Sequence, residues 1–277
     1  MKKFFLSLLL LPLLHSPLPA AEINIYADNK VEVHQNDQKI VAVGNAVANK
    51  QDNTIYADEM TAFYTKNAQG KTEFKTLHAK GNVRAVSPTS KAYGNTMDYD
   101  LKKEEITLVG TPAKIVTEKG ETITAKEKII YYPEKQMAVA TGDVMADDKE
   151  NKVYSDRMVS YFAKDDKGNL EMERVEIYDN VKIVTPQATA TSLRGIYFPK
   201  KSLVHLYDKV VINQDGNILK GDFAETNLKT GISRMLSHNG KGRVSGVFKE
   251  KEKEKEKEKP QPTEPVQPQQ GSSDNAK

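Results

Sequence analysis

The sequence predicts an all-β protein, a set of antiparallel strands in which one face is buried and the other wet, as in a sheet folded over on itself. Three observations carry that reading. The stretch IYADEMTAFY at 55–64 matches VYSDRMVSYF at 153–162 without a gap, 98 residues later. A marker led by Gly or Asp and followed by an apolar pair recurs at Gly44, Gly81, Gly110, Gly142, Asp179 and Asp208, with separations of 37, 29, 32, 37 and 29 residues, and returns weakly at Gly242. Between markers, apolar or small residues alternate with polar ones at period two, and turn residues cluster at each end, which is the pattern of antiparallel strands. Periods of this size belong to stacked supersecondary units. Because the pair 37, 29 occurs twice, three units are duplicated as a block.

Not all of the 277 residues belong to that fold. Residues 1–21 read as a secretory signal: Lys2 and Lys3, an apolar run from Phe4 to Leu14, then small residues in SPLPAAE that suit cleavage after Ala20 or Ala21. The apolar run is about half of what a spanning helix needs. Residues 249–277 begin with strictly alternating Lys and Glu and continue rich in Pro and Gln. Alternation sets like charges at i and i+4, which weakens a helix, so a disordered tail is expected. Residues 22–248 remain for the domain. The chain has no Cys, so strand pairing and packing alone must hold it. Without the two leader lysines, 39 basic residues face 38 acidic ones, a net charge of +1. That balance gives no basic footprint for nucleic acid.

Each unit has one internal plan. An apolar–x–small–(Asp) strand opens it: INIYAD at 23–28, IYAD at 55, ITAK at 123, VYSD at 153 and LKGD at 219. An aromatic follows, as at Tyr64, Tyr99, Tyr132, Phe162 and Phe198, then a turn such as KNAQGK or KDDKGN, then the Gly–Asn–Val strand. Parity assigns the buried face. The opening strands supply Ile23, Ile25, Ala27, Ile55, Ala57, Ile123, Ala125 and Val153, and the Gly–Asn–Val strands supply Val83, Ala85, Val144, Val181 and Ile183. Asp28, Asp58, Lys126 and Asp156 take the solvent side. Past the Asp, Met60, Ile130 and Met158 look like core although strict alternation selects Glu59, Glu127 and Arg157. A bulge near the Asp is therefore expected, reversing the parity. Ala, Ser and Gly recur where a filled sandwich would carry Leu or Phe, which predicts a continuous apolar channel. About fourteen to sixteen short strands are expected.

Catalytic signatures are missing. His34, His78, His205 and His238 fall in separate units without metal-ligand spacing, so no metal is expected. No GxSxG, HExxH or phosphate loop occurs. Asp147–Asp148 and Asp165–Asp166 sit among Lys, Asn and Gly and read as hairpin turns, not as a carboxylate pair. An enzyme is not expected, and no cofactor is required.

The leader, the opening INIYADNKVEV and the ordered I-x-A-D and G-N-V strands resemble the OstA-like family over roughly residues 22 to 248. The resemblance implies an open, twisted antiparallel β-jelly roll in the periplasm, whose apolar interior takes the acyl chains of lipopolysaccharide. It further implies partners in the inner and outer membranes joined into a bridge, with head-to-tail homo-oligomers possible. The family's lipid-lining first strand matches Ile23 and Ile25, with Ala27 next in parity. Transport of this kind has a clear physical need. An acyl chain of about twelve methylenes costs roughly 10 kcal/mol to expose to water, at ~0.8 kcal/mol each. A solid β-solenoid or adhesin-like repeat with a filled core is the other reading that the periodicity allows. The chain exceeds the usual family length by one or two units plus the tail.

Overall fold

The computed structural model describes residues 23–166, 168, 170–230, 232–237 and 243–248. The expected leader and tail, the marker at Gly242 and His238 lie outside the described residues. All strands join one antiparallel sheet of eighteen. In chain order these are β1 (Asn24–Tyr26), β2 (Lys30–His34), β3 (Lys39–Lys50), β4 (Asn53–Lys66), β5 (Thr72–Val86) and β6 (Ser90–Asp100). Then follow β7 (Glu105–Val109), β8 (Ala113–Thr117), β9 (Thr122–Ala125), β10 (Lys128–Tyr132), β11 (Met137–Asp147) and β12 (Lys152–Lys164). The last six are β13 (Leu170–Val184), β14 (Ala188–Phe198), β15 (Leu203–Gln214), β16 (Asn217–Asn227), β17 (Ile232–Leu236) and β18 (Ser245–Val247). A single 3-10 turn at Pro199–Lys201 is the only helix among the described residues.

The expected strands are too short and too few, for one physical reason. A long strand such as β4, with 14 residues, runs unbroken through a crease and serves two neighbouring surfaces. Its residues 59–63 pair with 39–43 of β3, and its residues 53–57 pair with 46–50. At the ends of each block the same path is split into two strands. β1 and β2 lie end to end along β3, β7 and β8 along β6, β9 and β10 along β11, and β17 and β18 along β16. The crease thus divides the sheet into a first leaf, which contains β2, β7, β10 and β17, and a second leaf, which contains β1, β8, β9 and β18.

The crease is made by the repeated marker. In β3, Gly44 and Asn45 have φ of +88° and +44°, and together they face the single residue Asp58 of β4. The same left-handed pair returns at Gly81–Asn82, Gly142–Asp143, Asp179–Asn180 and Asp208–Lys209. Two residues against one form a β-bulge, which bends the strand. The bulged strand keeps its inward parity, as at Ala42 and Ala46, and the alternation reverses on the facing strand, from Ala57 to Met60. The expected bulge near the Asp is thus found on the neighbouring Gly–Asn strand. Its consequence is as expected for Met60 and Met158, which are buried beyond it. Ile130 departs from expectation: it is half-buried and Ile129 is the core residue. β9 and β10 are separate strands with the two exposed residues Lys126 and Glu127 between them, so the parity of Ile123 and Ala125 continues to Ile129 and Tyr131.

Across the crease, side chains bind in register. Asn45 Nδ2 donates to Asp28 at 2.7 Å, Asn82 to Asp58 at 3.0 Å, and Asn180 to Asp156 at 2.8 Å. At the position 98 residues after the Asp28–Asn45 pair, Lys126 Nζ reaches Asp143 at 2.6 Å, so an ion pair replaces the amide bond. These bonds are exposed and each contributes little. The backbone supports them: Asp28 N–H donates to Gly44 O at 2.8 Å, and Lys126 N–H to Gly142 O at 2.6 Å.

Glycine is needed here for two reasons, conformation and space. A Cβ on Gly142 would lie 2.8 Å from the backbone nitrogen of Glu127, whereas one on Gly70, in a hairpin, would meet nothing. Both have positive φ. Gly142→Ala is expected to cost ~1–3 kcal/mol, and Gly70→Ala about 1 kcal/mol. Urea unfolding of the two variants checks the order; equal losses would refute a steric role for the crease glycine.

Candidate functional site

The two leaves face each other across an apolar interior. Inward residues of both belong to one contiguous core, from Ala46, Ala57 and Val83 on the second leaf to Met60, Ala79 and Met97 on the first. Several buried hydroxyls are satisfied locally. Ser155 Oγ donates to Arg157 O at 3.2 Å and Ser192 Oγ to Arg194 O at 3.0 Å, so each hydroxyl is bound to crease backbone. Thr117 Oγ1 donates to Glu121 Oε2 at 3.2 Å within the β8–β9 hairpin.

Room is left between the leaves, but it is not one continuous channel as the sequence suggested. Among the described residues two cavities stand out. The first, of about 190 Å3, is lined by Ile25, Ile55, Ala85, Ala92 and Ile115 of the second leaf and by Leu77, Met97, Tyr99, Ile106, Leu108, Ile129 and Tyr131 of the first. Asn49, Lys50 and Asn53 mark its polar rim. Asn53 Oδ1 is buried there without a hydrogen-bond partner. The second, of about 460 Å3, lies between Val153, Ile183, Ala190 and Ile212 of the second leaf and Met158, Val175, Ile177, Tyr197, Val204 and Leu206 of the first. Glu150, Asn151, Gln187, Gln214 and Asn227 give it a more polar rim.

The thirteen residues that the sequence assigned to the interior fall into three groups. Ile25, Ile55, Ala85, Val153 and Ile183 line a cavity, as does Ile23, which stands 37% exposed at the mouth of the first. Ala57, Val83, Ile123, Ala125, Val144 and Val181 are buried in the packed core and line neither. Ala27 is half-buried and packs against that core. All thirteen belong to the second leaf. The facing wall, with Leu77, Met97, Ile106, Leu108, Tyr131, Val204 and Leu206, was missed as a site. Its signal was present: on strands that face a bulge the alternation resumes with reversed parity, as from Ala92 to Met97, and on the bulged strands it runs on unchanged, as from Leu77 to Val83. The four residues expected in water, Asp28, Asp58, Lys126 and Asp156, are exposed along the crease.

Among the described residues, no group of three or more His, Asp or Glu is placed to hold a metal ion. His34, His78 and His205 instead meet Glu32, Asp98 and Glu225. Asp148 accepts from the backbone N–H of Glu150 and Asn151, the hairpin role expected of it.

Three tyrosines bring hydroxyls to the apolar wall. Burial pushes the phenols of Tyr99 and Tyr131 up, Tyr131 to about 12. Tyr197 is raised as well, by burial and then by the carboxylates of Asp148 and Glu121. Those carboxylates lie on hairpins of the second leaf, so this first-leaf side chain reaches the field of the opposite edge. For Tyr131 the linkage has a definite sign. Above pH 10 the unfolded phenol releases its proton while the folded one keeps it, so stability present below pH 10 is lost as pH rises towards 12. The loss approaches ~1.4 kcal/mol per pH unit. Tyr131→Phe should flatten this decline in urea unfolding measured from pH 9 to 12; an unchanged slope would refute burial of the phenol.

Comparison with known proteins bears on the whole sheet. A family profile described as LptA/(LptD N-terminal domain) LPS transport protein matches residues 24–137 and again residues 122–232. Among solved structures, the chain is similar to that of LptH, the LptA homologous periplasmic component of the lipopolysaccharide transport device from Pseudomonas aeruginosa. Identity is 18%, the match covers 47% of this chain and 95% of that one, and the TM-score is 0.41. No curated protein matches. The two family matches together span nearly the whole sheet, and their overlap falls on β9 and β10, where the split-strand pattern of β1 and β2 begins again. The chain is a member of the LptA/(LptD N-terminal domain) lipopolysaccharide transport protein family, a creased β-jelly roll carrying the family's module twice.

Proposed function

We propose that the chain is a periplasmic carrier that shelters the acyl chains of lipopolysaccharide between its two leaves and passes them from the inner towards the outer membrane. The observation that carries this reading is the pair of apolar cavities between the two leaves of one sheet. Family membership supplies the ligand class. The mechanism is transfer of apolar surface from water to a preformed lining, with no bond made or broken and no nucleotide, metal or other cofactor needed from this component. The chain is read as a carrier, not an enzyme. The filled-core structural repeat is the weaker reading, because both cavities open onto polar rims at the hairpins.

The ends of the sheet suit this role. β1 and β2 pair on one side only, with Tyr26, Val31 and Val33 exposed. β17 and β18 do likewise, with Ile232, Leu236 and Val247 exposed. Unpaired apolar edges are a liability unless a strand covers them. Membrane-anchored partners of the same architecture, or a second copy placed head to tail, would extend the sheet by β-augmentation and bring the interiors into line.

In-cell photo-crosslinking tests the carrier reading. A photoreactive residue at Ile25, Ile55 or Val153 should yield lipopolysaccharide adducts, and one at Asp28, Asp58 or Asp156 should yield few. Adducts equal in the two sets, or confined to the crease, would overturn it.

A further inference from the structure

We propose that the chain holds two separate lipopolysaccharide-binding compartments in series, each built by one copy of the duplicated block, so that a single chain carries two ligands at once. This rests on the carrier reading and specifies its stoichiometry and its path.

The first observation is that the two linings share no residue. Those of the first cavity fall within 23–131, and those of the second within 150–233. Between them stands β11, whose inward side chains Ala138, Ala140, Val144 and Ala146 are buried and line neither cavity. Phe162 and Met172 are likewise buried and line neither. The intervening interior is packed, not open.

The second observation is independent of the first. The linings coincide under the 98-residue shift of the sequence. Ala85, Ala92, Tyr99 and Leu108 line the first cavity, and their counterparts Ile183, Ala190, Tyr197 and Leu206 line the second. The cavity is therefore a property of the repeated block. An accident of packing would not reappear at the same positions in two copies that differ at most residues.

The copies are not equal, and substitutions run in both directions: Ala85 becomes the larger Ile183, while other positions shrink. Leu77 and Ile106 become Val175 and Val204, each one methylene smaller. Met97 becomes Gly195, and a Cβ there would sit 3.2 Å from Leu206 and 3.6 Å from Ile177, both on the wall of the second cavity. Leu206 and Ile177 thus occupy the space beside Gly195 that a methionine fills in the first copy, and the second cavity has about 460 Å3 against about 190 Å3 in the first. Together with its more polar rim, this suits the second compartment to a bulkier part of the amphiphile. Passage from one to the other requires side chains of the packed section to move, so the ligand advances in discrete steps.

Native mass spectrometry of the full chain loaded with excess deep-rough lipopolysaccharide tests the proposal. Two ligands per chain are expected. Ala92→Phe should block the first compartment and Ala190→Phe the second, each lowering the maximum from two to one, and the double variant should bind none. Photo-crosslinking from Ile55 should persist in Ala190→Phe, and from Ile212 in Ala92→Phe. Should either variant lose its β-sheet circular dichroism, Ala85→Leu and Ile183→Phe block the same compartments. Gly195→Met should weaken the second compartment at least tenfold and leave the first unchanged. A maximum of one ligand in the parent, or loss of both ligands from one single substitution, would overturn the two compartments while the carrier reading stands. A parent that binds none under these conditions would remove the carrier reading itself.

Discussion

The left-handed residue pair at the crease is the constraint on which the rest of the molecule depends. Each long strand must present an apolar face to the same interior on both sides of a bend, and neighbouring strands turn the corner with different residue counts. Ala57 and Met60 of β4 are three positions apart and Ala42 and Ala46 of β3 are four apart, and two residues set against one take up the difference. Gly44–Asn45, Gly81–Asn82 and Gly142–Asp143 adopt positive φ with a glycine in the first place. Asp179–Asn180 and Asp208–Lys209 do so without one, at a conformational cost of ~1 kcal/mol or more for each residue. That the cost is accepted there shows how strongly the bulge is specified by its neighbours.

From the crease follows the shape of the interior. The leaves converge at the fold line, where Ala46, Ala57, Ala113, Ala125 and Ala146 are almost wholly buried. Larger residues come further out, at Leu77, Tyr99 and Leu108, where the leaves stand apart and cavities form between them. Alanine at the fold line is thus a close-packing choice, and most of the cavity wall comes from residues of ordinary size. The recurrence of small residues marks where the leaves meet more than where they part.

For transport, an interior of this kind offers shelter without tight specificity. In the proposed role, burying acyl methylenes needs only apolar contact, and polar side chains gather at the rims, where Asn53 on one side and Asn151, Gln187 and Gln214 on the other stand beside the apolar lining. The module is joined to its copy inside one sheet: β7 and β8 pair with β10 and β9 in the same antiparallel ladder that links any two neighbours. What two separate chains would achieve by edge pairing is here covalent.

The amino-acid sequence by itself determined the all-β class, the duplication at 98 residues, the exposed Asp–Asn line and the buried identity of most second-leaf positions. These depend on local alternation and on turn chemistry, which act over a few residues and leave a direct trace in composition. It also pointed to the family, through the order of its strands. Tertiary structure alone decided which strand of each pair carries the bulge, that Ile129 and not Ile130 is buried, and that the long strands run through the crease. It alone showed that Leu77, Met97, Leu108, Val204 and Leu206 face the second leaf across open space, and that β11, Phe162 and Met172 fill the interior elsewhere. Whether a buried position meets a void or another side chain depends on the distance between the two leaves, which is set by residues from many strands at once and leaves no periodic signal in any one of them.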